Sequence, residues 1–237
     1  MSKTKITLAA LRDIPIFQTA SDATLRTILS ACRESDLPAG TILLRAREAS
    51  GTICFQLTGT SMIYNLTRDG KRKILFLLGR GALLNSSVLD ERKTVAYCET
   101  LEQSRILQIS SAVFNRCMEE DFALTRAVIA SLEQKNWRLS HQLKNSMSSI
   151  YLERKLAAKL WKLARDFGEP CGDGIRIRLK LSVTILADLL GAPRETTSRV
   201  IKTLSAHDLI RMERKTVTIR PEQLALFYKS GSYQQIP

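Results

Sequence analysis

A short run near the C-terminal end of the chain gathers side chains that are suited to DNA base edges and phosphates. Pro193 is followed by Arg194, Glu195, Ser198 and Arg199, so two guanidinium groups, a carboxylate and a hydroxyl fall within two turns of a helix. A proline in the first turn suits a helix start, because its missing N–H has no intrahelical partner there. Such a cluster predicts contacts to a nucleic acid, provided that flanking elements present it outwards.

Those flanking elements read as two short amphipathic helices over residues 181–210, joined by a tight turn at Gly191-Ala192. The first helix has one apolar face and Ser182 or Thr184 as a cap, and Gly191 ends it where a positive φ is often needed. Val200, Ile201 and Leu204 form the buried stripe of the second helix. A helix-turn-helix places the N-terminal residues of its second helix in the major groove. An ordinary helical hairpin with a solvated charged face would show the same bare pattern.

The charge of the chain favours a polyanionic partner. It has 36 Lys and Arg against 23 Asp and Glu, a formal net charge of +13. The basic excess is denser from residue 150 onwards, where the helix pair lies. Phosphate contacts supply most non-specific nucleic-acid affinity, although charge alone does not separate DNA from RNA or an anionic membrane.

Neither a membrane span nor a secretion signal is indicated. No apolar run approaches the ~20 residues that a span needs, and MSKTKITLAALRDI lacks a signal-peptide pattern, so we expect a cytoplasmic protein without a membrane partner. The cysteines form no CxxC pair, which favours buried reduced thiols over disulfides or a metal site. They are Cys32, Cys54, Cys98, Cys117 and Cys171.

The first half of the chain predicts a short helical lead-in followed by strands. Ser21-Asp22 can cap a helix over residues 23–32. Short β-branched or aromatic runs separated by turn signals then predict a sandwich or barrel, with Asp69-Gly70 as a hairpin signal. The six predicted strands are residues 41–44, 52–57, 61–66, 73–78, 94–98 and 105–109.

A long helix is predicted over residues 110–145, with one narrow apolar stripe. Such a stripe usually packs against a second helix, here its copy in a homodimer, although it could pack on the strands of its own chain. The stripe consists of Leu124, Val128, Leu132, Leu139 and Leu143. Further along we expect a helix over residues 150–167, a loop over 169–174, a strand over 175–179 and a two-stranded wing. Its basic tip includes Arg214 and Lys215.

This order of a small β-barrel, a long helix and a winged helix-turn-helix resembles the CRP/FNR superfamily of dimeric bacterial transcription regulators. Residues 11–17 look like the family's lead-in helix, while Gly40, Gly59 and residues 69–71 look like its barrel turns. The most specific match is Arg194-Glu195-Thr196-Thr197-Ser198-Arg199-Val200 followed by Leu209-Ile210.

The resemblance implies an α+β fold with three parts. They are an effector-sensing, cyclic-nucleotide-binding-like β-barrel (jelly roll) over residues 1–115, a dimerisation helix over 116–147 and a winged helix-turn-helix DNA-binding domain over 148–237. It further implies a homodimer that binds a palindromic operator in double-stranded DNA and engages RNA polymerase, and no enzymatic activity.

The family's DNA-binding roles carry over by position. Glu195 resembles the acid that accepts from cytosine N4, and Arg199 resembles the arginine that binds guanine. Arg194 matches a guanine-reading position of the cyclic-AMP receptor branch and Ser198 a serine of the FNR branch, so the half-site could resemble TGTGA or TTGAT. Phosphate contacts, which position without specifying sequence, are expected from Ser182, Thr184, Thr196, Lys202, Arg214 and Lys215.

The effector site departs from the cyclic-nucleotide branch, which carries a Gly-Glu pair for the ribose and an arginine for the cyclic phosphate. Here Asn85-Ser86 occupies the Gly-Glu place, and the arginine is lacking near Thr94, although Arg92 and Lys93 are close by. The strongest contacts to an anionic sugar phosphate are therefore missing, and we predict an effector other than cyclic AMP, for example a small organic acid. The candidate pocket is Leu84, Asn85, Ser86, Arg92, Lys93 and Thr94. Arg92 and Lys93 also fit a solvated loop.

Other functions fit the sequence less well. The family's iron–sulfur branch needs an N-terminal cysteine cluster, and His141 and His207 look like surface or packing residues rather than haem ligands, so no cofactor is identified. A redox switch at Cys98 or Cys117, or a ligand-independent regulator, remains an alternative. A signalling module that no longer reads DNA is disfavoured by the residues 194–199 cluster, and an enzyme by the lack of phosphate-binding, metal-ligand and nucleophile-elbow motifs.

Overall fold

The computed structural model describes residues 6–89, 93–147, 151–172 and 174–231. The chain divides into two compact units, one formed by residues up to 65 and 75–141, the other by residues 66–74 and those from 142 onwards. Within the described ranges, no helix is both long and apolar enough to cross a bilayer.

Two short helices and a 3-10 turn open the first unit: α1 (Leu8–Arg12), the 3-10 turn Pro15–Phe17 and α2 (Asp22–Ala31). The Ser21 hydroxyl accepts a hydrogen bond from the Thr24 N–H at 3.2 Å, which confirms Ser21 as the cap of α2. The lead-in segment packs its apolar side chains into the core of the first unit. The ring centroids of Phe17 and Phe55 lie 4.8 Å apart there.

Seven strands follow in two sheets. They are β1 (Arg33–Leu37), β2 (Ile42–Leu44), β3 (Thr52–Thr58), β4 (Ser61–Leu66), β5 (Arg72–Leu78), β6 (Tyr97–Thr100) and β7 (Ser104–Ser110). One sheet has the order β1-β7-β3 and the other β2-β6-β4-β5. The sequence RESDL of β1 carries almost no apolar signal, so this strand was not predicted, and β6 begins three residues later than expected.

The predicted long helix is interrupted. Helix α3 (Ser111–Glu120) ends at Asp121, whose backbone is extended, and α4 (Phe122–Met147) begins after it. The Asp121 carboxylate accepts from the Leu124 N–H at 3.1 Å, as an N-cap does, and from the Ser21 N–H at 2.8 Å. The single long helix predicted over residues 110–145 is thus two helices, of which the second begins at Phe122.

The structure divides the apolar stripe of α4 between buried and exposed positions. Leu124 and Val128 are fully buried in the core that the barrel forms with the lead-in helices, and Leu132 packs against that core. Leu124 and Val128 therefore pack within their own chain, whereas Leu132 is only partly buried. Leu139 and Leu143 are exposed, by 38% and 62%.

A second face of α4 is both apolar and exposed. Phe122, Ile129, Trp137 and Leu143 follow one another at spacings of about two helical turns, and their exposed fractions are 74%, 48%, 60% and 62%. We call these four residues the exposed α4 stripe.

The second unit consists of α5 (Leu152–Phe167), β8 (Gly168–Cys171), β9 (Gly174–Ile177), α6 (Val183–Leu190), α7 (Arg194–Ala206), β10 (Ile210–Glu213), β11 (Thr216–Ile219) and α8 (Pro221–Ser230). Its sheet has the order β10-β11-β9-β8, with antiparallel pairs. The loop predicted over residues 169–174 is wrong in its first part, because Glu169 pairs with Arg176 in the β8–β9 hairpin. Helix α8 was not predicted.

Candidate nucleic-acid interface and effector region

The helix-turn-helix prediction is confirmed by α6 and α7. The Ser182 hydroxyl caps α6 by accepting from the Ile185 N–H at 3.2 Å. Gly191 ends the helix in the left-handed region (φ 69°, ψ 40°), and its N–H donates to the Ala187 carbonyl at 2.7 Å. A side chain would strain that conformation, so glycine fixes the turn that aims α7.

Helix α7 is anchored from below. Pro193 stands at the N-cap, one position before the first turn, and the fully buried Thr197 donates its hydroxyl to the Pro193 carbonyl at 3.0 Å. Val200, Ile201 and Leu204 are buried on the same side. The opposite side of α7 is thereby held towards solvent.

The predicted base-reading residues lie on that outward side. Arg194, Glu195 and Arg199 are exposed and Ser198 is partly buried. At 100° per residue, the four side chains together with exposed Lys202 span an arc of about 140°. The structure thus brings all four candidates to the first two turns of one helix, where a major groove can receive them.

The predicted phosphate-contacting residues surround this arc. Thr184 is exposed on α6, while Ser182 and Thr196 are partly buried. In the wing, Glu213 pairs with Thr216, which leaves a two-residue turn of Arg214 and Lys215.

Both residues of that turn are exposed and have positive φ, 46° for Arg214 and 71° for Lys215. This is the geometry of a type I′ hairpin, which usually takes Asn or Gly. The carbonyl of Lys215 accepts from the Leu181 N–H at 2.7 Å, one residue before the cap of α6. The basic tip is therefore fixed relative to the two helices.

The predicted effector residues are divided between two places in the first unit. Leu84 is buried beside β3, and its N–H donates to the Cys54 carbonyl at 2.8 Å. Asn85 is fully buried; its amide oxygen accepts from the Cys54 N–H at 2.7 Å and its amide nitrogen donates to the Thr52 carbonyl at 2.9 Å. Ser86 is exposed. Asn85, which stands where the cyclic-nucleotide branch has its Gly-Glu pair, thus uses both side-chain polar atoms to bind the backbone of β3.

Thr94 is bound elsewhere in the barrel. Its hydroxyl contacts the carbonyls of Arg45 and Glu48, the latter at 3.2 Å. Lys93 is exposed, and Arg92 lies outside the described residues. A cleft of about 310 Å³ opens in the same unit, but none of the predicted effector residues lines it.

One half-buried polar residue of this region was missed by sequence reasoning. Lys135 of α4 donates from Nζ to the carbonyls of Leu83 at 2.7 Å and Asn85 at 2.8 Å. In the sequence, Lys135 lies between Leu132 and Leu139 of the apolar stripe, and no local pattern connects it to a segment 50 residues earlier.

The cysteines are free thiols in the structure. Burial raises the pKa of Cys98 and also that of Cys117, so the reactive thiolate is disfavoured at both candidates for a redox switch. In the described part of the chain, no cluster of His, Cys, Asp or Glu is placed to hold a metal ion.

Together these features define a winged helix-turn-helix DNA-binding unit that follows a sensory β-barrel. The chain matches the family models of the cyclic nucleotide-binding domain over residues 34–121 and of the Crp-like helix-turn-helix domain over residues 154–227. The chain belongs to the CRP/FNR superfamily, whose members are transcription regulators and not enzymes. It is a transcription regulator of this family, with a DNA-binding helix-turn-helix and an effector-binding domain.

Relatives extend over most of the chain. The cAMP-activated global transcriptional regulator CRP of Haemophilus influenzae is 26% identical over 206 residues, which are 85% of this chain and 90% of the relative. The global nitrogen regulator of a Nostoc species is 29% identical over 175 residues, 64% of this chain and 78% of the relative.

Solved structures share the fold. A CooA mutant from Carboxydothermus hydrogenoformans aligns with a TM-score of 0.73 at 19% identity, covering 95% of this chain and 97% of CooA. FixK2 from Bradyrhizobium japonicum aligns with a TM-score of 0.72 at 16% identity, covering 82% of this chain and 96% of FixK2.

Proposed function

We propose that the protein is a homodimeric, sequence-specific regulator that binds a palindromic operator under the control of a small molecule other than cyclic AMP. The observation that carries this proposal is the outward set of Arg194, Glu195 and Arg199 on α7, beside a fixed basic wing. Arginine and carboxylate groups so placed read guanine and cytosine edges, while Lys202, Arg214 and Lys215 supply phosphate contacts that set the register.

Dimerisation through α4 is supported by the exposed α4 stripe. Four large apolar side chains at two-turn intervals on a 26-residue helix are unfavourable in water. A second copy of the same helix would bury them in an isologous interface. Two DNA-reading units would then address two half-sites of a palindrome.

Control by an effector other than cyclic AMP is supported by the polar groups of the barrel. The side chains of Asn85 and Thr94 are hydrogen-bonded to backbone groups of the barrel. Neither position provides a carboxylate that could accept a hydrogen bond from a ribose hydroxyl. We assign effector sensing to residues 1–115, dimerisation to 116–147 with the helix proper from Phe122, and DNA binding to 148–237. Effector binding would shift the population between two dimer states.

Two partners complete the proposal. A regulator that binds an operator acts where the chromosome lies, so we place it in the cytoplasm of a bacterium. We also assign RNA polymerase as its downstream partner, because transcription regulators of this family act on promoters.

The proposal is tested by fluorescence anisotropy on short labelled duplexes. Two palindromes, one with TGTGA and one with TTGAT half-sites, are compared with a scrambled duplex of equal composition at one salt concentration. We expect one palindrome to bind at least tenfold more tightly than the scrambled duplex, with two chains per duplex. Equal affinity for all three duplexes, falling steeply with salt as phosphate contacts alone do, would refute sequence-specific binding to these sites.

A further inference from the structure

The cleft of about 310 Å³ in the first unit is lined by residues that are far apart in sequence. They come from the lead-in segment over residues 6–14, from all three strands of the sheet β1-β7-β3, and from Arg80, two residues after β5. A volume at the lower end of the range of protein ligand sites suits a small molecule. The cleft does not include the residues 84–94 in which effector contacts were predicted.

Apolar side chains form part of the lining. Ile14 is buried, while Ile6, Ala10 and Leu57 are partly buried. Gln56 also lines the cleft, but it is fully buried and its amide is hydrogen-bonded within the barrel at both polar atoms. Aliphatic carbon of a ligand would therefore gain contacts here.

The charged groups of the cleft are balanced. Among the described residues, the charged side chains that line it are Asp13, Glu34, Arg80 and Arg105. Arg80 Nη2 lies 3.2 Å from Asp13 Oδ2, and Arg105 Nη2 binds Glu34 Oε2. The four formal charges cancel. A ligand with a single charge of either sign would therefore be attracted by one member of a pair and repelled by the other.

The two pairs differ in how easily a ligand could replace them. The Glu34 side chain is only 14% exposed and also accepts from the Ile6 N–H, so its carboxylate is used within the protein. Asp13 and Arg80 are 63% and 72% exposed. Exposed ion pairs contribute little to stability, so this pair can open at low cost.

The backbone that carries the exposed pair is held in place. The Gly81 N–H donates to the Gln56 carbonyl at 2.7 Å. Gly81 has a φ of 80°, and a Cβ at this position would lie 2.7 Å from Cδ of Pro15, two residues after Asp13. The turn that carries Arg80 thus packs on the segment that carries Asp13. Both charged groups can engage a ligand through side-chain movement alone, which lowers the cost of binding.

We propose that this cleft binds a small α-amino acid with an aliphatic side chain. The α-carboxylate would accept from the Arg80 guanidinium and the α-ammonium would donate to the Asp13 carboxylate, in charge-assisted hydrogen bonds. The aliphatic side chain would pack towards Ile14 and Leu57. A zwitterion satisfies both members of the opened pair, which neither a simple anion nor a simple cation does. This site goes beyond the proposed function, since it would bind its ligand whether or not the chain binds DNA.

The test uses the full-length protein and isothermal titration calorimetry with L-leucine and L-valine. Each is compared with the same molecule without its ammonium group (4-methylpentanoate, 3-methylbutanoate) and without its carboxylate (3-methylbutylamine, 2-methylpropylamine). We expect at least one amino acid to bind saturably, one per chain, and at least tenfold more tightly than both of its counterparts. Failure of both amino acids to bind, or equal binding of a counterpart, would overturn the proposal.

Variants match each charge of the ligand to one residue. Arg80→Met should weaken binding of the amino acid at least tenfold and remove its advantage over the amine. Asp13→Asn should remove its advantage over the carboxylate instead. Arg116→Met, which removes an exposed positive charge from α3 outside the cleft, should change the affinity less than twofold.

The same variants exclude a merely structural effect. Because Asp13 and Arg80 are exposed, both variants should keep the thermal midpoint of the wild type. Wild-type affinity in both variants would exclude this cleft as the site. Equal weakening of the amino acid and both counterparts in either variant would overturn the pairing of that residue with one charge of the ligand.

Discussion

The charge on Lys135 gives a prediction whose size follows from the structure. Burial lowers its pKa from 10.5 to about 8 in the folded protein. Between these two values the unfolded chain binds more protons than the folded one, so the free energy of unfolding rises with pH. At about 1.4 kcal/mol per pH unit, the rise that belongs to Lys135 amounts to about 3 kcal/mol.

Comparison with Lys135→Met isolates this rise from all other titrations. We expect the unfolding free energy of wild type minus that of Lys135→Met to be constant below about pH 8, to increase by about 3 kcal/mol up to about pH 10.5, and to be constant above. The Cys98 thiol, which faces Lys135, does not titrate in this range. Burial raises the pKa of Cys98 far above its ordinary value, so this thiol stays protonated.

Urea unfolding followed by tryptophan fluorescence measures these free energies. In a Trp161→Phe background the remaining Trp137 lies on α4, two residues from Lys135. Protein concentration is held constant because a dimer gains stability by mass action. Arg116→Met is the matched control and should give a flat difference. A flat difference for Lys135→Met as well would refute a desolvated ammonium at this position.

Four further predictions concern the other parts of the molecule. Arg199→Ala should weaken operator binding by about 1–3 kcal/mol and relax preference at one base pair. As a control, Lys202→Ala should weaken binding to all duplexes equally. Unchanged relative affinities of Arg199→Ala across operator variants would reject the base-reading role of Arg199. Ile129→Glu puts a charge into the exposed α4 stripe and should convert the dimer to monomer in sedimentation velocity; an unaltered dimer would place the interface elsewhere. Gly191→Ala forces a side chain into the left-handed region and should destabilise the protein by about 1 kcal/mol, seen as a lower thermal midpoint; an unchanged midpoint would show that the turn relaxes. Asp121→Ala should cost about 1–2 kcal/mol as a lost cap, seen in urea unfolding at neutral pH. Although desolvation raises the pKa of Asp121, the N–H groups of Ser21 and Leu124 lower it overall, so this loss should shrink as pH falls below about 4; a loss independent of pH would refute the carboxylate's role.

The DNA-binding unit was predictable because its signals are local. Three signals lie within 30 residues: a cap at Ser182, a positive φ at Gly191 and the apolar spacing of two short helices. The first marks a helix start, the second a helix end, and the third the buried face of each helix. The exposed face of α7 follows directly once its buried stripe is identified.

The sensory unit was less predictable because its decisive contacts are long-range. Asp121, which caps α4 through the Leu124 N–H, also accepts from the Ser21 N–H, which is 100 residues away in sequence. The apolar periodicity of α4 identified an amphipathic helix. Leu124 and Val128 face the barrel, whereas Ile129 faces solvent. Sequence spacing alone does not show which apolar residues are buried within the chain and which are exposed. Lys135 was missed for the same reason.

Sequence-specific DNA recognition is the central claim, and selection from a random duplex pool by the purified protein tests it most directly. Performed without added ligand and again with candidate small-molecule effectors, the selection should enrich a palindrome whose half-sites resemble TGTGA or TTGAT in at least one of these conditions. Enrichment should be lost with Arg199→Ala at one base pair of each half-site. No enrichment in any condition, with only salt-sensitive binding, would contradict the claim.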